Sequence, residues 1–150
     1  MKRFATLAFV AGSWFAVPAL AADGLLALKS SYSAKDTMNR FEDTAKQRGL
    51  NVFARIDHAA GAAKVGKTLR PTEVLIFGNP QGGTPFMECA QSVGIDLPLK
   101  ALVWEDAQGQ VWLGYNDPAW LAARHGAAPC PAVDAIGKAL SSLAEAALAR

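Results

Sequence analysis

His58 and His125 are the only imidazoles in the chain, and carboxylates stand nearby in sequence, Asp57 beside the first and Asp117 upstream of the second. Imidazole with carboxylate is a ligand set that suits zinc or copper, and it can move protons near neutral pH. The spacing is not diagnostic, because the two histidines meet only if the fold brings the exit of the second strand beside the helix after the fifth. Ordinary loop and helix-end histidines are the competing reading. A second candidate is Asn79-Pro80-Gln81-Gly82-Gly83-Thr84-Pro85, small residues ahead of a helix start whose free N–H groups could hold an anion. It lacks the lysine of a Walker loop and the GxGxxG order of a dinucleotide site, so a structural turn is favoured and Asn79 stays a ligand-binding candidate only. Ser33, Ser92, Ser141 and Ser142 sit in no GxSxG elbow. Glu42-Asp43 and Glu105-Asp106 read as solvated charges. No catalytic residue can be assigned, no metal set is complete, and no cofactor is expected.

Those residues need elements to position them. Leu25 to Tyr32 reads as a strand, followed by a helix capped by Ser33 with Met38, Phe41 and Ala45 on one face and Gly49 at its end. Leu50–Asp57 alternates as a second strand, and Glu73–Phe77 is an apolar run fit for a central one. His58–Arg70 between them holds a short, weak helix. Thr84 as cap and Pro85 at the first helical position predict a helix to about Ser92. Leu99–Glu105 and Gln110–Tyr115 form a hairpin around Gly109, whose register pairs Asp106 with Gln110, Val103 with Leu113, and Trp104 with Trp112. Both indoles then share the face opposite the valine, which asks for a cover: the chain's own helices, a second copy, or a ligand. Asp117-Pro118 starts a short helix, and Pro131–Arg150 forms a longer one. The elements predict an α+β fold, an antiparallel sheet of about five strands covered by helices.

The first 21 residues carry Lys2 and Arg3, an apolar run from Phe4 to Val17, Pro18, and then Ala19-Leu20-Ala21, the pattern of a secretory signal cut after Ala21. The run is shorter than the ~20 residues that a membrane span requires, so no stable membrane anchor is expected. A single domain over residues 22–150 in a periplasmic or secreted setting follows. Without the leader's two cations, Lys+Arg and Asp+Glu both number 13, and no basic stripe remains for nucleic acid. Cys89 and Cys130, an even pair without CxxC spacing, point to one structural disulfide in that compartment.

Several segments carry a resemblance in order along the chain. Gly49-Leu50-Asn51-Val52 with Ile56-Asp57-His58 is followed by Leu69-Arg70-Pro71-Thr72-Glu73-Val74-Leu75-Ile76-Phe77-Gly78-Asn79-Pro80. Gly94-Ile95-Asp96-Leu97-Pro98-Leu99-Lys100, Val103-Trp104-Glu105-Asp106 and Tyr115-Asn116-Asp117-Pro118 complete it. Together they resemble the domain of unknown function 302 family over about residues 26–126. The resemblance implies a TATA-binding-protein-like α+β fold and a tendency to dimerise, and it implies no activity. The expectation is an exported module that binds a small-molecule ligand or a protein partner without catalysis, with a homodimer as one form. A metal-binding protein or enzyme using His58 and Asp57 is the alternative. The ligand-binding candidates carried forward are His58, Asp57, His125, Asn79, Trp104 and Trp112.

Overall fold

The computed structural model describes residues 22–150, and the signal segment assigned to residues 1–21 lies outside them. The elements run β1 (Leu25–Ser30), α1 (Ala34–Gln47), β2 (Asn51–Asp57), α2 (His58–Lys64), β3 (Thr72–Gly78) and α3 (Pro80–Cys89). A 3-10 turn (Gln91–Ile95), β4 (Leu99–Glu105), β5 (Val111–Asn116), α4 (Pro118–Arg124) and α5 (Ala132–Leu148) follow. The five strands form one antiparallel sheet in the order β1-β5-β4-β3-β2.

Helix α1 forms because its ends and its face agree. The Ser33 hydroxyl accepts from the Asp36 N–H at 3.1 Å and donates to the Asp36 carboxylate at 2.7 Å, which closes the first turn. Met38, Phe41 and Ala45, at helical spacing, are all completely buried. Phe41 meets Phe77 of β3 edge to face, with ring centroids 5.3 Å apart, and so fixes α1 on one side of the sheet. Helix α5 packs beside α1 on the same side, burying Ile136, Leu140, Leu143 and Ala147. From the sheet, Leu75, Phe77, Ala101, Val103 and Leu113 point into this layer, each at most 1% exposed.

The hairpin register is the expected one: Val103 opposes Leu113, Trp104 opposes Trp112, and the Asp106 N–H donates to the Gln110 carbonyl at 2.9 Å. The start of α3 differs. Asn79, not Thr84, is its N-cap, with the side-chain oxygen accepting from the Gly82 N–H at 2.8 Å, so Pro85 stands inside the helix and not at its first position. The Asn cap satisfies an otherwise free helical donor and outcompetes the later Thr-Pro signal. β1 likewise ends at Ser30 and not at Tyr32, because the Ser30 hydroxyl turns to Thr37 of α1 at 2.7 Å.

Candidate functional site

The strand register places the two histidines at opposite ends of the sheet. His58 follows Asp57, which pairs with Glu73 near the Trp104 end of β4, whereas His125 ends α4 and bonds to Asp96, just before β4 begins. About six residues of strand separate those ends, on the order of 20 Å. Asp57 caps α2, accepting from the Ala60 N–H at 2.8 Å, and His58 is exposed in the first turn of that helix. Asp117 is committed in the same way to α4, accepting from the Ala119 N–H at 2.9 Å. The structure therefore does not bring the histidines to a common site, and among the described residues no group of three or more His, Cys, Asp or Glu side chains is arranged to hold a metal ion.

His125 has partners of its own. One ring nitrogen, Nε2, lies 2.6 Å from Asp96 Oδ2, and the other, Nδ1, lies 3.0 Å from Ser92 Oγ. An Nε2–H donating to the carboxylate leaves Nδ1 to accept from the serine, the polarity of a carboxylate–imidazole–hydroxyl relay. Sequence reading set Ser92 aside for want of a GxSxG elbow and gave Asp96 no role, since their relation to His125 is created only when α4 folds back onto the 3-10 turn. A relay needs a cavity for its substrate. Neither Ser92 nor His125 lines the main cleft, and Arg124 holds the second oxygen of Asp96 at 3.3 Å. The array ties the 3-10 turn to the last turn of α4.

The side of the sheet opposite α1 and α5 is the more unusual surface. Register puts Ala27, Gly114, Leu102, Val74 and Ile56 in one row across all five strands on the face opposite α1, with Lys29, Trp112, Trp104 and Thr72 in the adjacent row. The two indoles stack on each other, with centroids 6.3 Å apart and planes at 17°. The outer edge of the Trp104 ring reaches over β5: a Cβ on Gly114 would come within 2.9 Å of its Cζ3 atom, so a side chain there would force the ring to shift. Trp112 is held by its indole N–H, which donates to Asp106 at 2.8 Å, and Lys29 Nζ sits 5.5 Å from its centroid. That hydrogen bond, ahead of two backbone N–H donors, holds the Asp106 carboxyl below its usual range.

On the helical side, a cleft of about 640 Å³ opens between α3, α5 and the adjoining ends of β3 and β4. Its lining includes Phe53, Phe77, Asn79, Leu99, Ile136 and Leu140. Asn79 reaches this site as a helix cap, and the Gly83 N–H already donates to the Asn79 carbonyl, so these donors are used within the turn and not left free for an anion. Cys89, the last residue of α3, is disulfide-bonded to Cys130, two residues before α5, so one bridge joins the two walls.

A charged cluster braces the outer strand. Arg55 of β2 bonds to Glu73 at 2.5 Å, to Asn39 at 2.7 Å and to Glu42 at 3.1 Å. The Glu73 hydrogen bond raises the guanidinium's pKa further, and the Lys46 bond, with help from Arg55, lowers that of Glu42. The side chains of Arg55, Glu42 and Glu73 are at most 27% exposed, so this is a structural ion network that locks β2 and β3 to α1.

Comparison with known proteins agrees with this architecture. A solved structure of an uncharacterized conserved protein DUF302 from Bacillus stearothermophilus shares the fold at a TM-score of 0.68, with 23% identity, covering 85% of this chain and 97% of that one. Curated relatives include proteins named fluoride-specific ion channel FluC 1 from Brucella suis and from Brucella abortus, each 53% identical over 102 residues. That match takes in 68% of this chain but only 40% and 38% of those proteins, so the chain spans about two fifths of their length. The family profile described as domain of unknown function DUF302 matches residues 26–147, and with the five-stranded α+β sheet beneath it, the chain belongs to the DUF302 family.

Proposed function

We propose that the chain is an exported, noncatalytic binding module, periplasmic or secreted, that acts by burying its open sheet face against a second copy of itself. The observation that carries the reading is the row Ala27, Gly114, Leu102, Val74 and Ile56 beside the stacked Trp104 and Trp112, on the face opposite α1 and α5. Five strands at ~4.8 Å spacing and about six residues of ~3.3 Å give the whole face, Lys29 and Thr72 included, on the order of 480 Å², so its apolar part falls in the range of the largest patches on ordinary monomers, which are often functional. A flat face meets its own copy isologously, so each favourable contact occurs twice. Trp104 and Trp112, near the hairpin end of the face, are of the residue type that most often anchors an interface.

The relatives named as fluoride-specific channels support a module that works beside other protein units, since the matched segment is the smaller part of each. Conduction is not carried over, and no helix among the described residues is long and apolar enough to cross a membrane.

Light scattering on the purified chain tests the reading. The wild type should have the mass of a dimer, and Leu102→Lys, which places a charge in the middle of the face, should give a folded monomer. A monomeric wild type, or a Leu102→Lys dimer, removes the face from the assembly. The noncatalytic part has a separate test, because Ser92, His125 and Asp96 supply the only relay geometry described above. A fluorophosphonate probe should leave Ser92 unlabelled, and stoichiometric labelling lost in His125→Ala would make the protein a hydrolase.

A further inference from the structure

We propose that the cleft between α3 and α5 is a binding site for a neutral, lipophilic small molecule, with an aromatic or hydrocarbon body and no ionised group. Its volume of about 640 Å³ falls within the ~300–1,000 Å³ of small-molecule sites. None of its lining residues is Asp, Glu, Lys, Arg or His, and Phe77, Leu99, Ile136, Leu140 and Leu143 contribute to its wall. A charged group in such a space would lose its water and find no partner, whereas an apolar body gains from the same desolvation. Asn79, Gln81 and Thr84 supply the polar side chains, enough to orient a carbonyl or hydroxyl but not to neutralise a charge.

Two features of the chain bear independently on this site. Phe53 stands where the β2 register shifts between Val52 and Ala54, and although it lines the cleft it remains 57% exposed. Bulges of this kind re-aim a side chain next to a functional site, and an aromatic ring left in water at an apolar opening is a contact awaiting a ligand. Part of the facing wall is built against helix propensity: α3 begins Pro80-Gln81-Gly82-Gly83-Thr84-Pro85, and while Pro80 suits the first helical position, Gly82, Gly83, Thr84 and Pro85 are poor helix formers within a helix. Its ends are fixed instead by the Asn79 cap and the Cys89–Cys130 bridge. Local choices that contradict the structure they occupy are expected where a site, not stability, sets the sequence.

This site lies on the helical side, so the inference does not rest on dimerisation through the sheet face. The test uses N-phenyl-1-naphthylamine, a neutral probe that brightens in apolar surroundings, titrated into the purified chain. Saturable binding of one probe per chain is expected. Ala139→Trp, at an exposed α5 position on the cleft wall, should weaken it at least tenfold, while Leu102→Lys on the far face leaves it unchanged. The anionic analogue 8-anilinonaphthalene-1-sulfonate should bind at least tenfold more weakly. Should Ala139→Trp fail to fold, Ala135→Phe on the same wall replaces it with the same expectation. No saturation, full affinity in a folded cleft variant, loss of binding in folded Leu102→Lys, or equal affinity for the sulfonate would each overturn the proposal.

Discussion

Replacing Cys89 by Ser and Cys130 by Ala opens the one covalent link between the two cleft walls, and the cost can be worked from the connectivity. The bridge joins residues 41 apart, so in the chain-entropy account it removes roughly 13 cal/mol/K from the unfolded chain, about 4 kcal/mol at 25 °C. Cys89 is exposed and Cys130 is 8% exposed, so the lost side-chain burial adds little to that figure. Against a total stability of about 5–15 kcal/mol this is a large fraction. With a urea m-value of ~2 kcal/mol/M, the unfolding midpoint of the double variant should fall by about 2 M, and m should rise because the unlinked chain unfolds further. Wild-type protein unfolded with a thiol reductant present should show the same lowered midpoint. Amide exchange should quicken first in α3, whose Gly-Pro-rich half has little helix propensity of its own. A double variant within about 0.3 M of the oxidised wild type would refute the entropic argument. Two titratable thiols in denatured, unreduced wild type would remove its premise.

Three further outcomes rest on the sheet and its charged edge. Arg55→Ala leaves the half-buried Glu73 without its guanidinium and Glu42 with Lys46 alone, and urea unfolding should show a loss of about 1–3 kcal/mol at neutral pH; a change under about 0.5 kcal/mol would mean the network contributes nothing. Gly114→Ala sets a methyl 2.9 Å from Trp104 and 3.1 Å from the Leu26 carbonyl, so it should cost about 1–3 kcal/mol and shift tryptophan emission. An unshifted spectrum with unchanged stability would show that Trp104 does not reach over β5. Asp106 is held below its ordinary 3.8 by the Trp112 N–H, so its share of stability is present above that value and is lost as pH falls through the lower folded-state pKa. Trp112 emission in folded protein should therefore titrate below pH 3.8 and stay flat above it, and Asp106→Asn should abolish the transition.

Most of the architecture was legible because it depends on local patterns. The Ser33 cap, the Met38–Phe41–Ala45 spacing and the Gly109 hairpin each act within a few residues, and each formed as its residues require. The start of α3 was misplaced because two capping signals compete there, and a proline after threonine is the louder in sequence while the Asn79 side chain makes the actual bond. The Ser92–His125–Asp96 array and the cleft are products of how α3, α4 and α5 fold back on one another, and no sequence period encodes such meetings. His58 and His125 failed to converge for the related reason that antiparallel register, not proximity to carboxylates in the chain, decides which strand ends are neighbours.

The position of Trp104 and Trp112 shows how far local reading reaches. Hairpin register alone put both on one face, opposite Val103 and Leu113, but could not say whether a helix would lie over them. That depends on the side from which α1 and α5 approach, and Phe41 against Phe77 with Arg55 against Asn39 and Glu42 settles it: both helices occupy the valine side. A sheet packed on one face only would ordinarily carry polar residues on the other, alternating with the core. Here Leu102, Val74 and Ile56 occupy the row where solvent-facing residues belong, and Gly114 is spared a side chain so that the edge of an indole can reach over it. None of Leu102, Val74 and Ile56 is fully buried, so the monomer's own core makes no demand for apolar residues at those three positions, and that is the ground on which a covering surface is proposed.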